Sequence, residues 1–242
     1  MTPPAPSILV VDDDGDTCQN LRDILVDLGY RVDIAHDGLS ALEKLKRAHF
    51  DVALLDLRMP GMDGLTLSRE IRKLRAGTVS LIVTAFASSQ VRDEARSAGA
   101  WQIVNKPIDL PALLGLVASA LDQPLVMIVD DDHELCANLW DLLRDKGYRV
   151  ALAHDVAEAS ARLQEQSFRM VLIDVKLPAG NGADVLRAVR QANPGARALM
   201  ITGFRELDPL VQQAIKEGAD SVCYKPFDLP QLLAALEKLT RA

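Results

Sequence analysis

The sequence predicts two doubly wound α/β units in tandem, each with a five-stranded parallel sheet. Three observations carry this: an internal repeat, apolar runs alternating with amphipathic stretches, and a cut between the halves of only a few residues. Asp130 stands 118 residues after Asp12, Asp174 118 after Asp56 and Thr202 118 after Thr84, whereas Lys225 follows Lys106 by 119. One residue is therefore inserted between Thr202 and Lys225. A period this long marks duplicated domains, since solenoid repeats run about 20–50 residues.

In the first half the expected strands are 8–11, 31–35, 52–55, 79–83 and 101–104. Four of them are nearly continuous apolar runs, as in strands of a parallel sheet covered on both faces. Between them, Leu21, Ile24, Leu25 and Leu28 fall at the spacing of one helix face, as do Leu135, Leu139, Leu142 and Leu143 in the second half. Five strands alternating with five helices give a doubly wound sandwich with right-handed crossovers. The expected domains are 1–122 and 125–242. The residues between them reach about 10–12 Å when extended, so the domains are expected to lie close together.

A length of 242 residues, 49% hydrophobic and 25% charged, suits chains that bury real cores. A net charge of −7 argues against a surface for nucleic acid or anionic lipid. Three cysteines, Cys18, Cys136 and Cys223, form neither a disulfide framework nor a CxxC pair. Cys18 and Cys136 are expected in a helix–sheet seam as small apolar residues. No apolar run reaches the ~18 residues of a membrane span, and the first residues lack a secretory signal. A reduced, cytoplasmic setting is expected.

Ligands of open α/β sheets gather at the carboxyl ends of the strands. There the first half places Asp12, Asp13 and Asp14, then Asp56, Thr84 and Lys106. The second half places Asp130, Asp131, Asp132, Asp174, Thr202 and Lys225 in the same order. Clustered carboxylates repel one another unless a cation is present. Oxygen donors without His or Cys suit a hard ion such as Mg²⁺. A carboxylate also serves as a nucleophile in aspartyl-phosphate chemistry, with metal, ammonium and hydroxyl neutralising the phosphoryl oxygens. A lone strand-end Asp is more often a helix cap; the convergent set favours the site. For Asp14 and Asp132 both readings, metal support and capping, stay open.

The pattern resembles the receiver domains of two-component response regulators over nearly the whole chain, twice. The motifs are Val-Val-Asp12-Asp13, Leu-Leu-Asp56 followed by Pro60 and Gly64, Val-Thr84-Ala and Asn-Lys106-Pro107. The second set is Ile-Val-Asp130-Asp131, Leu-Ile-Asp174 followed by Pro178 and Gly182, Ile-Thr202-Gly and Tyr-Lys225-Pro226. The resemblance implies a flavodoxin-like (βα)5 fold and phosphoryl acceptance on Asp56 and Asp174. It implies Mg²⁺ held by Asp13 and Asp131 directly, by Asp12 and Asp130 through water, and by the carbonyls of Arg58 and Lys176. Thr84 and Thr202 would bond the phosphoryl oxygens, Lys106 and Lys225 would pair with them, and Pro107 and Pro226 would follow cis bonds. Many receivers carry Tyr or Phe three residues before the lysine. Ile103 and Val222 stand there, which points to the loop after the fourth strand as the signal path.

The implied partners are a sensor histidine kinase or histidine phosphotransfer protein upstream and a protein contact downstream. No DNA-binding, cyclase or kinase segment follows, so the chain acts through protein contacts or is the front of a longer regulator; a third reading makes one receiver a scaffold. It is not expected to be a turnover enzyme. Aspartyl phosphatases usually carry an acid two residues after the nucleophile, where Arg58 and Lys176 stand. Gly180-Asn-Gly182 lacks the third glycine of a dinucleotide turn. His36 and His154 suit surface turns, and His49 and His133 lack the neighbours of a phosphohistidine domain. The stretch 110–121 holds no charged residue. An outer helix face normally carries polar groups, so this one is expected to pack on the second domain or form a homodimer.

Overall fold

Ser7–Val11, an unbroken apolar run after its serine, forms β1, and every residue in it is buried. The computed structural model describes residues 5–74, 76–178, 180–203 and 209–241. The chain divides into two compact units, Met1–Gln123 and Pro124–Ala242. In the first unit β1 is followed by α1 (Gly15–Asp27), β2 (Arg31–Ala35), α2 (Gly38–Arg47), β3 (Val52–Asp56), α3 (Gly64–Leu74), β4 (Val79–Thr84), α4 (Ser89–Ser97), β5 (Gln102–Asn105) and α5 (Leu110–Asp122). The second unit repeats the alternation as β6 (Leu125–Val129), α6 (His133–Asp145), β7 (Arg149–Ala153), α7 (Val156–Glu165), β8 (Met170–Asp174), α8 (Gly182–Ala192), β9 (Arg197–Thr202), α9 (Pro209–Lys216), β10 (Ser221–Tyr224) and α10 (Leu229–Arg241).

Both sheets are parallel, in the order β2-β1-β3-β4-β5 and, read from the same edge, β7-β6-β8-β9-β10. The expected α/β architecture is the one observed. Three of the four apolar runs are the inner strands β1, β3 and β4; the fourth, in β5, lies at an edge and is only partly buried, as is Arg31–Ala35 at the other edge, with polar residues at alternate positions. Strand β5 starts one residue later than expected. Trp101 precedes it, its N–H donating to Ser80 O at 2.8 Å.

Each sheet has a core on either face. One face of the first unit packs Leu9, Val11, Leu55, Leu67, Ile71 and Ile82 together. The other packs Ile8, Val10, Leu25, Leu54, Leu81 and Val117. Burying one such side chain contributes roughly 1.5–3 kcal/mol, so the apolar packing on both faces holds the sheet between its helices. Cys18 and Cys136 lie fully buried in these seams, as expected.

The edges of the two units differ. Strand β7 is buried along its whole length, unlike β2. Trp140 of α6, at the place of Arg22 in the first repeat, donates its indole N–H to Val150 O at 3.0 Å. Its ring carries the apolar surface that the arginine lacks. On α5, Leu113, Val117 and Ala120 are buried, while Ala112, Gly115, Ala118 and Ser119 are exposed. No described helix is long and apolar enough to cross a membrane.

Candidate functional site

Strand register alone brings the sequence-predicted residues to one edge. Val11 pairs with Leu55, so Asp12, the next residue, arrives beside Asp56 at the end of β3. Asp56 pairs with Val83, which sets Thr84 one step on, and Thr84 pairs with Asn105, which delivers Lys106. The second unit matches: Val129 pairs with Ile173, Asp174 with Ile201, and Thr202 with Tyr224. Because the strands within each sheet are parallel, their carboxyl ends form an acidic rim in each unit.

In the first unit Asp12, Asp13, Asp14, Asp56, Arg58, Thr84, Ala85, Phe86 and Lys106 line a cleft of about 270 Å³. Asp12 and Asp56 are buried and Asp13 is exposed. Lys106 Nζ bridges the two buried acids, 2.8 Å from Asp12 Oδ2 and 2.6 Å from Asp56 Oδ1. The other oxygen of Asp56 accepts the Arg58 N–H at 2.6 Å, and the other oxygen of Asp12 accepts the Asp14 N–H at 3.0 Å. The Arg58 peptide therefore lies against the carboxylate, while its side chain is exposed.

The second cleft, about 460 Å³, is lined by Asp130, Asp131, Asp132, Asp174, Lys176, Leu177, Pro178, Gly203 and Lys225. Lys225 Nζ lies 2.8 Å from both Asp130 Oδ2 and Asp174 Oδ1. Asp174 Oδ2 accepts the Lys176 N–H at 2.7 Å. Thr202 is buried at the end of β9, beside the lining residue Gly203. Both Lys–Pro bonds, 106–107 and 225–226, are cis.

Burial by itself would lower the pKa of each lysine, but hydrogen bonds to two carboxylates outweigh it, and Lys106 and Lys225 are held above the ordinary value. For Asp174 the balance is reversed. Burial raises its pKa, and the bonds from Lys225 and the Lys176 N–H offset this only in part. Loss of hydration thus dominates at the deeper carboxylate, and charge pairing at the lysine nearer water.

Asp14 and Asp132 are helix caps. Asp14 Oδ1 accepts from the N–H groups of Asp16 and Thr17, and Asp132 Oδ1 from those of Glu134 and Leu135. The bonds from Thr17 and Asp16 hold the Asp14 pKa below its ordinary value. Of the alternatives left open in the sequence, these side chains take capping.

For some residues the sequence reading found no part in the site. The Cys18 thiol donates to Asp12 O at 3.3 Å and the Cys136 thiol to Asp130 O at 3.3 Å, so each supports the acidic turn after the first strand of its unit. Their repetition at the same offset was the available signal. His133 and His154 stack with ring centroids 4.0 Å apart, and His154 Nδ1 lies 3.0 Å from Asp130 O. The nitrogen facing that carbonyl carries the proton, so this imidazole props the turn. Phe86, in the first cleft, is the other residue missed.

The turn after the nucleophile strand differs between units. Gly61 takes φ 79° in one, and Gly180 takes φ 117° in the other, one place further on. Glycine is favoured in each because the turn needs the left-handed region.

A family description, response regulator receiver domain, matches residues 8–118 and again 126–237. The chain belongs to the response regulator receiver family. It is 35% identical over 233 residues to a response regulator receiver protein of Anaeromyxobacter sp. (strain Fw109-5), covering 96% of this chain and 94% of that one. It is 41% identical over 114 residues to the transcriptional regulatory protein ZraR of Klebsiella oxytoca, covering 47% of this chain and 26% of ZraR. A CheY-like receiver domain structure from Methanospirillum hungatei JF-1 is 34% identical, covers 49% of this chain and 95% of its own, and has a TM-score of 0.48. The two units are thus receiver domains of two-component signalling, one per repeat.

Proposed function

We propose that both receivers accept a phosphoryl group, on Asp56 and on Asp174, and that the loaded chain acts by changing its protein contacts. The observation that carries this is the lysine bridge. In each unit one ammonium holds two buried strand-end carboxylates, Asp12 with Asp56 and Asp130 with Asp174.

The step is a displacement at phosphorus. A carboxylate oxygen of Asp56 forms the new P–O bond as the P–N bond of a phosphohistidine breaks, and the histidine nitrogen keeps the electron pair. Lys106 then turns its charge to the phosphoryl oxygens, and the Thr84 hydroxyl donates to one of them. Lys225 and Thr202 do the same for Asp174. The chemistry in this reading is confined to loading and loss of the phosphoryl group on the aspartate, with no turnover of other phosphoesters. Two residues past each nucleophile stand Arg58 and Lys176, which give no acid to protonate a leaving group.

The clefts also suit a hard divalent ion. Each cleft is lined by aspartates with no His or Cys. An ion here would take oxygen donors, a few carboxylates with carbonyl and water oxygens, the ligand balance of Mg²⁺. Asp13, Asp56 and the Arg58 carbonyl would hold it, with Asp12 through water; in the second unit, Asp131, Asp174, the Lys176 carbonyl and Asp130. Bound Mg²⁺ would neutralise charge on the phosphoryl oxygens.

The donor in this reading is a sensor histidine kinase or a histidine phosphotransfer protein, the output a protein partner, and the compartment the cytoplasm. Incubation with Mg²⁺ and acetyl phosphate, read by intact mass, tests the reading. Two phosphoryl additions are expected, one lost in Asp56→Ala and the other in Asp174→Ala. No addition despite measurable Mg²⁺ binding would sink it.

A further inference from the structure

Two positions exchange sizes between the repeats. Gly38 has Val156 as its counterpart 118 residues on, and Met62 has Gly180. Gly38 opens α2 and is buried, and a Cβ there would lie 2.7 Å from Met62 Cβ and 2.8 Å from the Met62 carbonyl oxygen. Val156 opens α7 at the same place, and a Cβ on Gly180 would lie 2.9 Å from Val156 Cγ2. Carbon atoms in contact settle at about 3.5–4.0 Å, so each gap has room for one side chain and not for two. The loop after the nucleophile supplies it in the first unit and the helix in the second. Met62 and Val156 are each packed against the core of their unit.

The loop is tied at its base. The Leu57 N–H donates to Val83 O at 2.9 Å, and the Gly64 N–H returns to Leu57 O at 3.1 Å. In the second unit Val175 bonds Ile201 O at 3.0 Å and Gly182 bonds Val175 O at 2.9 Å. Just inside this base the Arg58 or Lys176 N–H holds one oxygen of the nucleophile. The crown of the loop, further on, is seated against the start of the helix by the filled gap. We infer that Met62 and Val156 are positioning residues for the two phosphoryl sites: each fills the gap between loop and helix, and so holds the Arg58 or Lys176 peptide against its aspartate. The inference rests on Asp56 and Asp174 being the phosphoryl acceptors.

Two further observations fit. Gly64 and Gly182, at the end of the same loop, are glycine in both repeats, so the exchange at the crown is confined to the pair of positions that meet. Gly38 has no positive φ, so contact with Met62 is what keeps it small, whereas Gly180 takes φ 117° and turns the crown by a route that L side chains rarely follow. Close-packed contacts pass on such differences. An emptied gap lets the loop sink toward the helix, and a doubly filled one pushes it outward.

The test uses the full chain with acetyl phosphate and Mg²⁺, well below its thermal transition, and follows loading of both aspartates by peptide mass mapping, so that each site is the control for the other. Met62→Ala empties the first gap and Val156→Ala the second. Each should slow its own aspartate by about three- to tenfold and leave the other at the wild-type rate. Gly38→Val puts two side chains into the first gap and should slow Asp56 by about tenfold. Met62→Gly added to that variant leaves one side chain, now on the helix as in the second unit, and should recover most of the rate. Wild-type loading rates in both truncations, whatever their melting temperatures, would reduce the contact to a structural one and overturn the inference. A doubly substituted chain as slow as Gly38→Val alone would overturn the one-side-chain rule. Should Gly38→Val fail to fold, the two truncations decide. No loading of either aspartate in the wild-type chain overturns the acceptor reading, and the inference falls with it.

Discussion

Lys106 Nζ lies 2.6 Å from Asp56 Oδ1, the shortest of the four lysine–carboxylate contacts in the two clefts. The lysine supplies the charge that lets Asp12 and Asp56 stay side by side with little water around them. Lys106→Met should therefore lower the stability of the first unit by about 2 kcal/mol, less than a fully buried pair would lose because the lysine remains partly solvated. Calorimetry without divalent ions should show the loss, and Mg²⁺ should restore most of it. A loss that Mg²⁺ leaves untouched would mean that the lysine acts through packing.

Gly64 meets the chain of its own nucleophile. A Cβ there would collide with the Asp56 carbonyl, and one on Gly182 would lie 2.5 Å from the Asp174 carbonyl. Neither glycine has the positive φ that would itself demand glycine; close approach of helix to strand is the constraint. Gly64→Ala should destabilise the first unit by about 1–3 kcal/mol. It should also slow acetyl-phosphate loading of Asp56, while Asp174 loads as before. Peptide mass mapping separates the two sites, and equal rates at Asp56 in variant and wild type would refute the steric argument.

Asp220 gives the second unit a carboxylate–guanidinium cluster with Arg190 and Arg197, whereas Trp101 stands at the equivalent place in the first. Burial would raise the Asp220 pKa, but the Ala198 N–H and the guanidinium groups of Arg190 and Arg197 outweigh that and hold it below the ordinary 3.8. The contacts lie at 2.8, 2.8 and 3.0 Å. A depressed carboxylate stabilises the fold above its unfolded pKa, and the contribution is lost as pH falls through the folded value. Asp220→Asn should cost about 1–3 kcal/mol at neutral pH. The gap to wild type should close below about pH 4. Thermal scans across that range decide it, and a gap independent of pH would show that charge plays no part.

The uncharged outer face of α5 was expected to be covered. Its small side chains, Ala112, Gly115, Ala118 and Ser119, would let a second copy of the chain approach closely. If a homodimer forms there, Ala118→Glu would place two like charges across the contact and shift sedimentation toward the monomer. Equal sedimentation of variant and wild type would remove this face from any dimer.

Much of this protein was legible in its sequence because it follows from local periodicity. Apolar runs and helical spacing announced the strands and helices, and the offset of 118 announced two copies. Parallel strands then carried Asp12, Asp56, Thr84 and Lys106 to one edge without further information. Other features depend on where a group ends up. Asp12 and Asp14 are neighbours of one type in one turn, yet one is buried against Lys106 and the other caps α1. Similar edge strands, Arg31–Ala35 and Arg149–Ala153, differ in burial, and Trp140 explains part of that difference.

The sequence by itself determined the repeat, the layer order and the set of strand-end residues, since each is a pattern along the chain. Tertiary structure decided the partners. Lys106 meets Asp56 across 50 residues and Asp12 across 94, the Cys18 thiol finds the Asp12 carbonyl, and Phe86 hangs on Thr84. Hydrogen bonds depend on angles and tenths of an ångström, and those are set only when strand register and helix packing close the fold.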